Sequence, residues 1–113
     1  MKNNLLLFWS IGKQVYEDKD VINPIEKYSN YYSYYYGNSY LFNRENIRLM
    51  KLFYICFPIF NKKLYNISWE QYKLLFNIND RGERLFYFYI SLFFNSNLNE
   101  TNEFINNNYY LRI

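Results

Sequence analysis

Residues 43–58 read Asn43-Arg44-Glu45-Asn46-Ile47-Arg48-Leu49-Met50-Lys51-Leu52-Phe53-Tyr54-Ile55-Cys56-Phe57-Pro58. Asn43 is a good N-cap because its side chain can accept from a free amide of the first turn. Pro58 ends the run, since it lacks an N–H and its ring clashes with the preceding turn. Between these signals lies one helix. Arg44, Arg48 and Lys51 fall at i, i+4 and i+7, so they share one face.

The neighbouring segments read the same way. Upstream, Leu5, Phe8, Trp9, Gly12 and Tyr16 have helical spacing, with Gly12 as a small contact point. Asp18-Lys19-Asp20 makes a turn. Asn23 and Pro24 open a second helix and Gly37 closes it, with Ile25, Tyr28, Tyr32 and Tyr35 on one face. Asn38 to Phe42 form a short connection. Downstream, Ser68-Trp69-Glu70-Gln71 and Asp80-Arg81-Gly82-Glu83 read as capping boxes that open helices near 69–76 and 81–95. The latter is apolar almost all round beyond Arg84, which predicts the central, most buried element. The tail 96–113 reads as a frayed helix or as a strand of a small hairpin or wing. The expected class is mostly α, a single domain over 1–113 with five or six short helices.

Composition bounds the chemistry. The 113 residues carry 13 Lys plus Arg and 10 Asp plus Glu, no His and one Cys. Without His the commonest general base and zinc ligand is missing. Cys56 sits among apolar residues, which predicts a core thiol rather than a nucleophile. Gly12, Gly37 and Gly82 have no phosphate-loop spacing. The chain is therefore expected to be no enzyme and to use no cofactor or metal. The eighteen Asn, fifteen Tyr and absent Ala fit an A/T-rich coding bias, which weakens the meaning of any single Asn or Tyr.

Targeting signals are lacking. Leu5 to Trp9 is shorter than the roughly 7–15 apolar residues of a signal peptide, and Leu85 to Phe94 is about half of a ~20-residue span. No membrane association and a cytoplasmic location are expected. Charge is uneven: residues 1–43 balance four Lys with four acids, whereas 44–84 hold eight basic residues and four acids.

Several of these residues together resemble a known family. Trp9-Ser10-Ile11-Gly12, the Gly37 turn, Asn46 to Tyr54 ending in Phe57-Pro58, Ile67 to Tyr72 with Leu74-Leu75, and Arg84-Leu85-Phe86-Tyr87 occur in one order. This set resembles the N-terminal domain of the YhcG-like bacterial family over residues 5–95. The resemblance implies a helix-turn-helix or winged-helix-like module of the kind that usually precedes a nuclease domain of the PD-(D/E)XK type. No acidic pair followed by Glu-x-Lys occurs here, so the nuclease half is expected to be missing and its chemistry is not carried over. Leu98 stands where the family pattern has tryptophan, and Asn106-Asn107-Asn108 replace charged residues.

Two candidate surfaces follow. If residues 44–57 are a recognition helix, Arg44, Arg48 and Lys51 face DNA or RNA, with Asn46 as an adenine reader and Lys62 and Lys63 adding phosphate contacts. Arg81 and Arg84 are expected to pair locally with Asp80 and Glu83. In the second helix Tyr28, Tyr32 and Tyr36 match core positions of the family pattern. Tyr31, Tyr34 and Tyr35 match polar ones, so they form an exposed face suited to a protein partner or to self-association. Trp9 and Trp69 are expected as core or capping contacts. The leading expectation is a non-enzymatic nucleic-acid-binding module. The alternatives are an inhibitor from a mobile element that blocks a host defence nuclease, as an anti-CRISPR protein does, and a homodimerising scaffold.

Overall fold

A computed structural model describes residues 4–37 and 40–112. Six α-helices follow in order: α1 (Asn4–Glu17), α2 (Pro24–Tyr36), α3 (Arg44–Cys56), α4 (Trp69–Phe76), α5 (Arg81–Phe93) and α6 (Leu98–Asn106). Two 3-10 turns, Lys62–Asn66 and Tyr109–Arg112, complete the structure, and no strand occurs among the described residues. The mostly α reading holds. The tail is α6 and a 3-10 turn rather than a hairpin or wing. Asn38 and Ser39, half of the expected connection between α2 and α3, lie outside the described residues.

The helix ends follow local chemistry. Asn23, Asn43 and Ser68 each accept the amide three residues on, at Glu26, Asn46 and Gln71. Gly37 ends α2 in the left-handed conformation at φ 65°, and its N–H donates to Ser33 O. The Ser68 box is reciprocal, because Gln71 Oε1 accepts from Ser68 N. At α5 only half of the expected box forms: Asp80 caps Glu83 N, and no return bond from Glu83 is present. A reciprocal box between Asn97 and Glu100, absent from the sequence reading, starts α6.

Contacts group the chain into two compact units, Leu6–Phe60 and Asn61–Ile113 with Met1–Leu5. In the first, the buried set is Phe8, Ile11, Val15, Phe42, Ile47, Met50, Phe53 and Phe57. The buried stripe of α1 is thus rotated by one residue from the expected one. Ile11 and Val15 go inside, Trp9 is half-buried and Tyr16 is exposed. The reason lies in the contacts each ring makes near the surface. Trp9 Nε1 donates to Phe57 O at 2.7 Å, beyond the end of α3, and Tyr16 lies against Tyr54 with Lys19 above its ring. At Gly12 the backbones of α1 and α3 come close together: a Cβ there would lie 1.9 Å from Met50 O.

The second unit packs Leu64, Ile67, Tyr72, Leu75, Tyr87 and Phe88. Its core is partly polar. Buried Gln71 donates to Ser96 O at 2.8 Å and to Thr101 Oγ1 at 2.9 Å, and Thr101 in turn bonds Ser91 at 2.8 Å. Tyr72 is fully buried and donates to Leu64 O at 2.7 Å. Desolvation pushes its hydroxyl far above the ordinary phenol range. The expectation that α5 is the central, most buried element fails. Tyr87, Phe88 and Ser91 are inside, whereas Tyr89 and Phe93 on α5, and Phe94 just past it, face outward. α5 packs against α4, α6 and the turn Tyr109–Arg112, and its uniform apolarity hid which rings would stay outside.

Candidate interaction surfaces

Helix α3 turns its inner face to the core through Ile47, Met50 and Phe53. That orientation places Arg44 and Arg48 outward and leaves Lys51 half-buried. Arg44 Nη1 meets Glu26 Oε2 of α2 at 3.0 Å. Arg48 grips both carboxylate oxygens of Glu45, with Nε at 3.1 Å. These hydrogen bonds hold the Glu45 carboxyl below, and the Arg48 guanidinium above, its usual range. Lys51 forms no ion pair among the described residues. Asn46 donates through its side chain to Tyr40 O at 3.3 Å, so it acts as a loop tie. The basic face exists as read, yet both of its arginines already have carboxylate partners.

Lys62 and Lys63 belong to the other unit, in the 3-10 turn that starts it, and both are exposed. Lys63 Nζ lies 5.9 Å from the centre of the Tyr89 ring, within cation–π range. Arg81 and Arg84 form no ion pair with Asp80 or Glu83. Arg84 Nη1 instead donates to Ile78 O at 2.8 Å, and Asp80 is occupied as the α5 cap. The local ion pairing expected there is replaced by two backbone contacts.

The tyrosines of α2 are arranged by helical spacing. The Tyr31 and Tyr35 rings stack at 6.0 Å, and Tyr28, Tyr32 and Tyr36 form a second stacked column at 6.2 and 6.1 Å. The second column touches the unit: Tyr36 lies 5.2 Å and Tyr32 5.9 Å from the Phe42 ring. Ser29 is the sole buried residue of α2, and its hydroxyl donates to Phe42 O at 2.7 Å. Tyr28 donates to Asp18 Oδ2 at 2.7 Å, beside Lys27 at 3.0 Å. The Tyr28 hydrogen bond, then that of Lys27, holds the Asp18 carboxyl below its usual range. Tyr32 bonds Gln14 Oε1, and burial raises its hydroxyl.

Tyr31, Tyr34 and Tyr35 project outward, at 54%, 90% and 66% exposure. Tyr36, expected in the core, is also largely exposed, because its ring covers the edge of Phe42 instead of entering beneath it. Tyr40, which the sequence reading did not single out, is exposed as well. Its signal is weak in the sequence, because Phe42 in the same short connection is fully buried. Cys56 is half-buried. No group of three His, Cys, Asp or Glu side chains among the described residues is placed to hold a metal ion. No described helix is long and apolar enough to cross a membrane. No protein-family model matches this chain, and no curated protein or solved structure matches it significantly.

Proposed function

We propose that this chain is a non-enzymatic protein-binding module and that Tyr31, Tyr34 and Tyr35 of α2 are its contact surface. The observation that supports the reading is the exposure of these three rings, with Tyr31 and Tyr35 held in place by ring contacts along α2. Tyr31 is stacked on Tyr35 and edge-on to Tyr32 at 4.9 Å, so its rotamer freedom is already reduced before binding. A pre-ordered aromatic loses little further entropy in a complex and supplies a large contact area. The YhcG-like resemblance suggests a class of partner, a bacterial nuclease, and a mobile-element inhibitor would be one use of such a surface.

Affinity capture with the wild-type chain and with a Tyr31→Glu/Tyr34→Glu chain tests this, followed by reconstitution of the captured protein from purified components. The wild type should bind the purified partner and the double variant should not, at unchanged melting temperature. Equal binding by both chains overturns the proposal.

Nucleic-acid binding is the second reading. The Arg44 side chain is 72% exposed, and exposed ion pairs contribute little, so phosphate can replace Glu26 and Glu45. Anisotropy of labelled duplex DNA, single-stranded DNA and RNA at about 50 and 200 mM salt decides it, since counterion release makes phosphate contacts strongly salt-dependent. Arg44→Ala with Arg48→Ala should then flatten the salt dependence. Absence of binding at low salt removes this reading and leaves the first intact.

A further inference from the structure

The outer face of α5 is a second exposed aromatic surface. From Leu85 to Phe94 the sequence carries no charge. The pairs Leu85-Phe86, Tyr89-Ile90 and Phe93-Phe94 recur every four residues, which aligns them along one side of a helix. These six residues line one open, almost wholly apolar groove. Tyr89, Phe93 and Phe94 are 53%, 81% and 59% exposed. At about 200 Å² per aromatic side chain, they present close to 400 Å² of ring surface per copy. That is as large as the biggest apolar patch on an ordinary monomer.

We propose that this face binds a second copy of the chain, with the two α5 helices antiparallel about a two-fold axis near Tyr89 and Ile90. The pattern is its own complement. The three apolar pairs read the same from either end, so the axis sets Phe93-Phe94 of one copy on Leu85-Phe86 of the other, and the converse. Such mutual contact is what an isologous interface requires.

Two copies of the exposed rings, with the half-buried Leu85, Phe86 and Ile90, give about 1,000 Å² in total. This lies at the low end of specific interfaces, so the dimer is weak and reversible.

Sedimentation equilibrium of the full chain between roughly 1 and 300 µM, the range for a small interface, tests the proposal. The weight-average mass should climb from 14.2 kDa toward twice that value. Phe93→Glu should keep the chain monomeric throughout, with an unchanged circular dichroism spectrum. A wild type that stays monomeric at the highest concentration overturns the proposal. So does a dimer that survives Phe93→Glu, or one that Tyr31→Glu/Tyr34→Glu abolishes instead. Monomers that bind anionic lipid vesicles through Phe93 would reassign the face to a membrane surface.

Discussion

Replacing Gly12 with Ala tests how α1 meets α3. In an open helix the change is favourable by about 1 kcal/mol, because glycine loses more backbone freedom on folding. Here the new Cβ would sit 1.9 Å from Met50 O and 2.5 Å from Met50 C, against 3.4 Å for an ordinary contact. Both atoms are backbone within α3, so no rotamer change relieves the overlap. The helices must part by about 1.5 Å, in the upper part of the 1–3 kcal/mol range typical of overpacking. Parting them also breaks the 2.7 Å bond from Trp9 to Phe57 O, worth about 1 kcal/mol. After the gain in helix propensity is subtracted, the net loss is about 3 kcal/mol. For a chain of this length that corresponds to a fall of roughly 10–20 °C in Tm. Urea unfolding followed by circular dichroism measures it, with Gly82→Ala as the control. There a Cβ meets only side-chain ends, Asp80 Oδ2 at 3.3 Å and the Tyr110 hydroxyl at 3.4 Å, and stability should change by less than about 1 kcal/mol. A Gly12→Ala chain with an unfolding midpoint at or above wild type refutes the close packing.

Other outcomes follow from the same geometry. Gln71→Leu should cost about 2–4 kcal/mol in urea unfolding, since it leaves the buried Ser96 O without its donor, removes one of the two bonds of Thr101 Oγ1 and breaks the Ser68 capping box. Arg44→Ala/Arg48→Ala should shift stability by less than about 1 kcal/mol, because both ion pairs are exposed. For Tyr72 the sign is set by a folded-state pKa raised by desolvation. Its stabilising effect is complete below the ordinary phenol value of about 10 and declines as pH rises beyond it, by about 1.4 kcal/mol per pH unit. Tyr72→Phe should therefore lower stability at pH 7 by about 1 kcal/mol through loss of the bond to Leu64 O, yet reduce the alkaline slope by that same amount per unit. Equal slopes for the two chains above pH 10 contradict the assignment.

Helix boundaries were legible because capping is a local event. Asn23, Asn43, Ser68 and Gly37 each act within three or four residues of their own position. The faces were less legible. Trp9 and Tyr16 counted as apolar positions, although each makes its contacts near the surface, so the α1 stripe turned by one residue. In α5 the density of Phe and Tyr erased the contrast between inside and outside on which a periodicity argument depends. Composition mattered too: with fifteen tyrosines, no single ring announced whether it packs or projects. At the basic face the Glu45 partner of Arg48 was visible as an i, i+3 neighbour. Glu26 reaches Arg44 only through the pairing of α2 with α3, which spacing within one helix does not encode. The Asn97–Glu100 box carries a legible capping signature, but the polar stretch Asn99 to Glu103 after it hides the helix it opens.

The two tryptophans fall one to each unit, Trp9 in Leu6–Phe60 and Trp69 in Asn61–Ile113. Each therefore serves as a private optical reporter. Trp69→Phe leaves an emission that follows the first unit alone, and Trp9→Phe leaves one that follows the second. Superimposable denaturation curves from the two single-tryptophan chains would mean one cooperative molecule. Separated curves would mean two foldons, each assignable to a span of the chain without any label being attached.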